Sequence, residues 1–492
     1  METNFLNENH KKRDRKLLLF IMFIPCFLIR RVLDNDTWFL LNSGRYVMEH
    51  GIPYIEPFSI HENLKFVMQQ WLTDVAFWNL YDKFGEQGLF MLVTICYAAI
   101  IFLMFNLTIS ISDRNFMVSF SVTMVSSILI FTYMVTRPTI ITLILVLLEL
   151  NALESYVKSK NYKYLFILPI LSLFMINMHA ALWPILFILI LPYIVGAFQF
   201  KFVSFVRDEY NINHLLLSVI AMIIVAFINP YGIDAMTYLI NSSGYPYMKK
   251  ILELQPPYIN SIPGALIYFY IFSIVLIYIF YRTGKFKIRY LLLTVGTTYM
   301  VLISIRNITY FAICSSFPIA YYLKDIGIRQ NNAINNKFIK LRLLLKTLIT
   351  VALVIGIYFG NINNSTYKNY SDLNSAVDYL LKSDDASNIK LFTGFNDGSL
   401  VQFRGIRTYI DPRAEVYFIK QNGKDDIFNE YFDLITGKIY YKDIINKYKF
   451  THMLITKGEL LDTYLNRDTD YEIIYENEEY NVYKNLKIQA NY

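Results

Sequence analysis

The chain has 492 residues, of which 17% are charged, 55% are hydrophobic and 17% are aromatic. A soluble chain carries roughly 25% charged residues, and the shortfall here is concentrated in long apolar blocks. This composition excludes a single water-soluble globule and indicates a membrane protein.

The formal net charge of +7 hides two segments of opposite sign. Residues 361–492 hold 16 Lys/Arg and 20 Asp/Glu, a net of −4, whereas residues 1–360 hold 30 basic and 19 acidic residues, a net of +11. The cations of the first segment lie between apolar blocks, where basic residues act as topology signals. We therefore expect membrane lipids around this segment and no nucleic-acid partner.

Apolar blocks of about 20 residues each predict one membrane crossing. The sequence contains eleven such blocks, near residues 17–33, 87–110, 116–133, 139–153, 164–176, 181–200, 214–229, 264–281, 290–304, 308–323 and 343–360. We thus predict an all-α polytopic domain of about eleven transmembrane helices over residues 1–360.

Orientation follows from the connecting loops, because Lys and Arg are retained on the cytoplasmic side. Every second connection is basic, beginning with the cluster at 11–16. This alternation places the N-terminus in the cytoplasm. An odd number of crossings then places residues 361–492 outside the cytoplasm.

The first outer loop, residues 34–86, contains two amphipathic helical patterns, around Trp38 and around Trp71 to Trp78. A turn region at 51–57 separates them, so we expect two interfacial helices on the membrane surface. All four tryptophans map to the predicted outer boundary, where they form either an aromatic belt or a substrate-facing set.

Residues 361–492 alternate helix-like and strand-like patterns, which predicts a small extracytoplasmic α/β domain. The predicted helices are 371–383, 427–436, 440–449 and 458–465, and the predicted strands are 389–393, 407–411, 451–456, 471–475 and 480–484. The Asn-rich stretch 361–364 is read as a short linker.

Unusual polar residues converge on the predicted outer side. They are Asp34, Asp36, Arg137, Asn177, His179, Glu253, Gln255 and Arg306. Carboxylates and guanidinium groups at a lipid boundary suit a site that binds a lipid-linked phosphate and deprotonates a hydroxyl. Helix capping or snorkelling is the alternative for each residue taken alone, and the convergence favours a site.

Several motifs resemble those of the GT-C superfamily of membrane glycosyltransferases. The first outer loop opens with an acidic motif, Asp34-Asn35-Asp36-Thr37-Trp38-Phe39, directly after the first crossing. The sequence is most similar to bacterial multi-pass proteins of GT-C type, and more distantly to oligosaccharyltransferase and protein mannosyltransferase catalytic subunits. The other matching elements are Glu56-Pro57-Phe58-Ser59, Gln70-Trp71-Leu72, Arg137-Pro138, Asn177-Met178-His179, Asn229-Pro230-Tyr231-Gly232, Glu253-Leu254-Gln255-Pro256-Pro257, Arg306-Asn307 and 409–415.

The resemblance implies an inverting glycosyltransferase with a polyprenyl-phosphate-linked sugar donor and a glycan, glycolipid or protein acceptor. By carry-over, Asp36 is the first candidate for general base or metal ligand and Asp34 the second, and a divalent metal such as Mg or Mn stays open. The candidates for the donor phosphate are Arg306 and Arg137, whose guanidinium groups bind phosphate bidentately. The candidates for acceptor binding or support are His179, Asn177, Glu253, Gln255 and Trp71.

Two features depart from the resemblance. The chain has no Trp-Trp-Asp-Tyr-Gly motif, so we do not expect transfer of a whole glycan to a sequon Asn, and Leu254 stands where a Trp is expected. Residues 411–415 form either a second acidic cluster facing the site or a salt-bridged turn.

The alternative function is a non-catalytic GT-C-like scaffold or partner in envelope glycan assembly. The two hypotheses differ at the carboxylates, because an enzyme needs a carboxylate open to an outer cavity. A scaffold instead allows Asp34 and Asp36 to be paired with Arg30, Arg31 or Arg45 and closed off.

Overall fold

A computed structural model describes residues 14–198, 205–243, 251–281, 286–324 and 370–488. The eleventh predicted crossing, 343–360, the linker at 361–364 and the predicted domain boundary after residue 360 lie outside the described residues. The described chain consists mostly of helices, with one small sheet near its end.

Helices occupy each of the other ten apolar blocks. Residues 14–23 form α1, and the helices that follow are α2 (Asn35–His50), α3 (Trp71–Ile111), α4 (Phe116–Ile130), α5 (Thr139–Ser159), α6 (Ile167–Met178), α7 (Pro184–Gly196), α8 (Ile212–Ala226), α9 (Ile233–Met236), α10 (Tyr238–Asn241), α11 (Ile262–Phe280), α12 (Ile288–Ile303) and α13 (Ile308–Leu323).

Within the described residues, four helical segments are long and apolar enough to cross a membrane. They are Trp71–Ile111, Phe116–Tyr133, Thr139–Ser159 and Ile262–Phe280, and four shorter apolar helices accompany them. The chain is therefore a polytopic membrane protein. The number of crossings, eleven, stays a prediction.

Residues 34–86, predicted as the first outer loop, form both predicted helices. Asp34 caps the N-terminus of α2, because its side chain accepts a hydrogen bond from the backbone N–H of Thr37 at 3.1 Å. The second helix is the first part of α3, which continues into the apolar block through a kink at Gly85, where φ is 61°. The predicted interfacial helix and the predicted crossing that follows it are thus one bent helix.

Helices α2 and α3 cross very closely at Gly44. A Cβ atom at this position would lie 2.1 Å from the backbone oxygen of Asp74, so only glycine allows the contact. This crossing fixes α2, and the acidic residues at its start, against α3.

Residues 370–488, called the tail region, form helices around a four-stranded sheet. The helices are α14 (Ser371–Ser383), α15 (Gly398–Phe403), α16 (Ile419–Asn422), α17 (Ile427–Ile435), α18 (Tyr441–Tyr448) and α19 (Leu460–Leu465). A separate two-residue parallel pair joins β1 (Phe205–Val206) to β2 (Phe286–Lys287). The strands of the larger sheet are β3 (Leu391–Thr393), β4 (His452–Thr456), β5 (Tyr471–Glu476) and β6 (Tyr480–Asn485).

The larger sheet has the order β3-β4-β6-β5. β3 is parallel to β4, and the other neighbouring strands are antiparallel. The predicted strand 407–411 does not form a regular strand, since Thr408 makes only single bridges to Leu391 and Ser59. One of these partners lies in the first outer loop, so the segment connects the tail region to that loop.

A buried ion-pair cluster joins the first outer loop to the tail region. Arg413 donates to Glu56 at 2.8 Å and to Asp411 at 2.6 Å, and the side chains of both carboxylates are fully buried. Burial alone would raise the pKa of Asp411, but Arg413 and the hydroxyl of Tyr417 hold it below its usual range. Residues 411–413 therefore form the salt-bridged turn, with Asp411 committed to the cluster.

Candidate functional site

A cavity of about 1160 Å³ lies between the helices of residues 14–324 and the tail region. Its lining includes six of the nine site residues predicted from the sequence: Asp34, Asp36, Arg137, His179, Glu253 and Arg306. The elements that supply them are the start of α2, the α4–α5 connection, the α6–α7 connection, the loop before α11 and the α12–α13 connection.

Arg137 lies at the centre of three carboxylates. Its Nε donates to Asp34 at 2.6 Å, one terminal nitrogen lies 3.1 Å from Asp36, and the other lies 2.9 Å from Glu253. Each nitrogen of the guanidinium thus contacts a different carboxylate. The planar fork of arginine suits this arrangement, which a lysine ammonium would not reproduce.

Asp34 and Asp36 occupy different environments. One oxygen of Asp34 accepts from the backbone N–H and hydroxyl of Thr37, and the other accepts from Arg137, so Asp34 is fully engaged as a cap and ion-pair partner. Asp36 contacts Arg137 through one oxygen, and 29% of its side chain is exposed, which leaves it open to the cavity.

The pKa of Asp36 is raised to about 7. Burial is the largest cause, because surrounding protein disfavours the charged carboxylate, and the negative charge of Asp34 adds to it. Arg137 and Arg306 act in the opposite direction. A carboxyl group that titrates near neutral pH can accept a proton and hold it at the pH of the cell.

Arg306 and Arg30 also line the cavity and are exposed to it. Across the ranges that the structure describes, neither takes part in an ion pair, in contrast to Arg137. Arg306 is held in place by its loop, because Ser304 donates to the backbone oxygen of Glu253 at 3.0 Å and Ile305 donates to that of Gln255 at 2.9 Å. Guanidinium groups of this kind, facing a cavity, are suited to bind an anion such as a phosphate.

His179 is buried, and its Nδ1 lies 2.8 Å from the hydroxyl oxygen of Thr142. Burial and the positive charge of Arg306 lower its pKa to about 3, so the imidazole is neutral. It can therefore offer a hydrogen bond to the cavity without adding charge.

Three of the predicted residues do not line the cavity. Trp71 donates to the side-chain oxygen of Asn177 at 3.0 Å, so these two residues support each other between α3 and α6. Gln255 accepts from Tyr258 and, through its backbone, from Ile305. These contacts hold the loops that carry the cavity residues.

Asp34 and Asp36 do not fit a divalent metal in this arrangement, because the guanidinium of Arg137 already lies between them and Glu253. Within the described residues, no group of three or more His, Cys, Asp or Glu side chains could hold a metal ion. The cation that these carboxylates contact is the guanidinium of Arg137.

The tail region supplies the opposite wall of the cavity and two contacts to the acidic motif. Tyr370 donates to the side-chain oxygen of Asn35 at 2.6 Å, and Ser399 donates to its backbone oxygen at 2.7 Å. This wall includes Asp397 and Glu459. Sequence reasoning missed the roles of Tyr370 and Ser399, since nothing near them in the chain marks Asn35 as their partner.

No protein-family model matches the chain, and no curated protein matches it. Solved structures do resemble it. The oligosaccharyltransferase AglB from Archaeoglobus fulgidus, in complex with an inhibitory peptide and a dolichol-phosphate, has a TM-score of 0.59 and 13% identity, covering 91% of this chain and 70% of that one.

ArnT from Cupriavidus metallidurans bound to undecaprenyl phosphate has a TM-score of 0.52 and 12% identity, covering 95% of this chain and 96% of that one. Both proteins are membrane glycosyltransferases of the GT-C superfamily. The resemblance inferred from the acidic motif is thus confirmed at the level of the fold. The chain has the fold of the GT-C membrane glycosyltransferases.

Proposed function

We propose that this protein is a membrane glycosyltransferase that transfers a sugar from a polyprenyl-phosphate-linked donor to an envelope glycan, glycolipid or protein acceptor. The observation that carries the proposal is one cavity lined by a carboxylate with a pKa of about 7, Asp36, and by two arginines, Arg306 and Arg30, that form no ion pair within the described ranges. This combination supplies both a base and a phosphate-binding group. The fold agrees, because AglB and ArnT have been solved with polyprenyl phosphates.

The reaction that these groups suit is an inverting displacement at the anomeric carbon. Asp36 takes the proton of the acceptor nucleophile as that nucleophile forms its bond to the sugar. The bond between the anomeric carbon and the phosphate oxygen breaks, and its electron pair leaves with the polyprenyl phosphate. Arg306 and Arg30 stabilise the negative charge that develops on the phosphate.

For Arg137 we propose a role other than the donor-phosphate contact that the sequence resemblance implies. Its guanidinium contacts Asp34, Asp36 and Glu253, which leaves the donor phosphate to Arg306 and Arg30. We assign to Arg137 the orientation of Asp36 and the control of its pKa.

We further propose that the cavity opens on the outer side of the membrane and that residues 361–492 form an extracytoplasmic domain. Basic connections alternate along the chain, which supports this orientation. Cysteine labelling tests it, with low background because Cys26, Cys96 and Cys314 are buried. In intact cells, Ser387→Cys should react with an impermeant maleimide and Ser159→Cys should not, whereas the opposite pattern would place the cavity on the cytoplasmic side.

A non-catalytic scaffold is the second candidate, and the contacts of Arg137 are the observation in its favour. Three carboxylates bound to one guanidinium form a stable internal cluster, as a structural role requires. Against it stands the exposure of Asp36 to the cavity. Arg45, one of the partners that a closed scaffold predicts, instead donates to Asn42 and to the backbone oxygen of Phe403.

The substitution Asp36→Asn separates the two functions. It keeps the size of the side chain and removes its basicity, so an enzyme should lose about a hundredfold or more of its turnover. Asp34→Asn should lower turnover less, because Asp34 acts as a cap. The measurement is complementation of the envelope-glycan defect of a deletion strain, with the thermal stability of each purified variant as the control. Full complementation by Asp36→Asn would favour the scaffold.

A further inference from the structure

The acidic motif at the start of α2 is held by two hydroxyl groups from a distant part of the chain. Asn35 lies between Asp34 and Asp36, and both of its oxygens are engaged. Tyr370 donates to the side-chain oxygen at 2.6 Å, and Ser399 donates to the backbone oxygen at 2.7 Å. Tyr370 and Asn35 are separated by 335 positions in the sequence, so the contact is purely tertiary.

These contacts act on the first turn of α2, which carries Asp36. The ring of Tyr370 also packs edge-on against Trp38, one turn further along the helix, with 5.9 Å between the ring centroids. The turn is therefore held at its backbone, at the Asn35 side chain and at an aromatic contact. Because an active-site group displaced by about 1 Å can lose about a hundredfold in rate, this support matters for Asp36.

We infer that Tyr370 and Ser399 are positioning residues that hold Asp36 against Arg137. The inference rests on the proposed function, in which Asp36 is the base. Neither hydroxyl needs to touch the substrate. They act through Asn35, so the tail region sets the geometry of the acidic motif as well as closing the cavity.

The distance between Asp36 and Arg137 affects the protonation of Asp36, which gives a readout other than turnover. The charged groups that act on Asp36 are Arg137, Asp34, Arg306 and Glu253. Arg137, at 3.1 Å, favours the charged carboxylate. If the turn shifts, this contact lengthens and Asp36 should titrate at a higher pH.

The experiment measures binding of undecaprenyl-phosphoryl-glucose to the full-length protein across pH. The phosphodiester of this probe does not titrate near neutral pH, so an inflection in its affinity reports on the protein. Affinity should fall as pH rises through about 7, because ionised Asp36 repels the phosphate at Arg306. Tyr370→Phe and Ser399→Ala should move this inflection upward, and Arg137→Gln should mark the upper limit of the shift.

A double-mutant cycle tests the route through Asn35. Asn35→Ala removes the shorter of the two hydrogen bonds of Tyr370, whose hydroxyl also lies 3.3 Å from the backbone oxygen of Leu33. The double variant should therefore shift the inflection no further than Tyr370→Phe alone. Ser399→Ala removes the hydrogen bond to the backbone oxygen of Asn35 and should add its own shift of the inflection. Tyr379→Phe, on α14 and stacked on Tyr475, is the matched control and should leave the inflection in place.

Asp36→Asn distinguishes a failure of this inference from a failure of the proposed function. The inflection should vanish in this variant. Asp397 also lines the cavity, and burial raises its pKa to about 7 as well. If the inflection persists in Asp36→Asn and vanishes in Asp397→Asn, Asp36 is not the titrating group and the assignment of the base is wrong. If it vanishes in Asp36→Asn while Tyr370→Phe, Ser399→Ala and Asn35→Ala all titrate as the wild type does, the positioning role alone is overturned.

Discussion

Arg137 is the residue on which the electrostatics of the cavity depend. It contacts three carboxylates that line the cavity, and one of them, Asp36, has a pKa of about 7. In the proposed function Asp36 is the base and is active only when deprotonated, so turnover should fall as pH drops below about 7.

Arg137→Gln should shift this acidic limb to higher pH. Arg137 lowers the pKa of Asp36, and its removal lets burial and the charge of Asp34 raise that pKa further. At pH 7 the variant should therefore have less active base, and raising the pH should restore part of its activity. The pH profile of kcat/KM measures the limb. A limb that stays at the wild-type pH would show that another group controls the rate.

Arg306→Lys should weaken donor binding although the charge is unchanged. Lysine cannot reproduce the planar fork that contacts a phosphate through two nitrogens. The loss of one charge-assisted contact costs about 1.5–3 kcal/mol, or roughly tenfold or more in affinity. Binding of undecaprenyl phosphate to the purified protein measures the effect. Arg45→Lys is the matched control, because Arg45 contacts Asn42 and Phe403 away from the cavity.

Among the elements, the crossing of α2 and α3 sets the position of the acidic motif. Gly44→Ala should destabilise this crossing, since the new Cβ atom would lie 2.1 Å from the backbone oxygen of Asp74. Overpacking of this kind typically costs about 1–3 kcal/mol, which thermal unfolding in detergent can measure. Gly296→Ala on α12 is the control, because a Cβ atom added there would have no atom of the described residues within 4 Å. Equal stability of the two variants would contradict the close crossing.

Most helices could be predicted because an apolar block is a local signal. Ten blocks coincide with helices, and the helices of the first outer loop were predicted from their amphipathic patterns. The joining of the second of these to the next crossing was not, because the kink at Gly85 preserves a continuous helix. The strand predicted at 407–411 fails for another reason, since its partners, Leu391 and Ser59, depend on tertiary contacts.

The candidate site was partly predictable because most of its residues lie at the ends of apolar blocks on one predicted side. That argument brought together Asp36, Arg137 and Arg306, which line one cavity. It gave no means to separate an arginine that binds carboxylates from one that faces a ligand. It also gave no means to find Tyr370 and Ser399, because their hydrogen bonds to Asn35 depend on tertiary contacts.

At the scale of the whole molecule, the Arg413 cluster joins the tail region to the first outer loop. Arg413→Met should cost about 3–5 kcal/mol, because Glu56 and Asp411 would stay buried without a cation. The melting temperature in detergent measures this loss. Arg404→Met is the control, since the ion pair between Arg404 and Asp378 is partly exposed and should contribute about 0–1 kcal/mol. Similar melting temperatures would contradict the role of the cluster.

The same cluster has a consequence for the time course of synthesis. Glu56 and Arg413 are separated by 357 positions, and a ribosome adding about 5–20 residues per second needs about 20–70 s to cover that interval. Throughout this time Glu56 has been synthesised and Arg413 has not. The cavity therefore obtains its second wall only when the last quarter of the polypeptide has been made. A chain that stops before Arg413 keeps every apolar block and the acidic motif. It lacks the arginine that joins the tail region to Glu56.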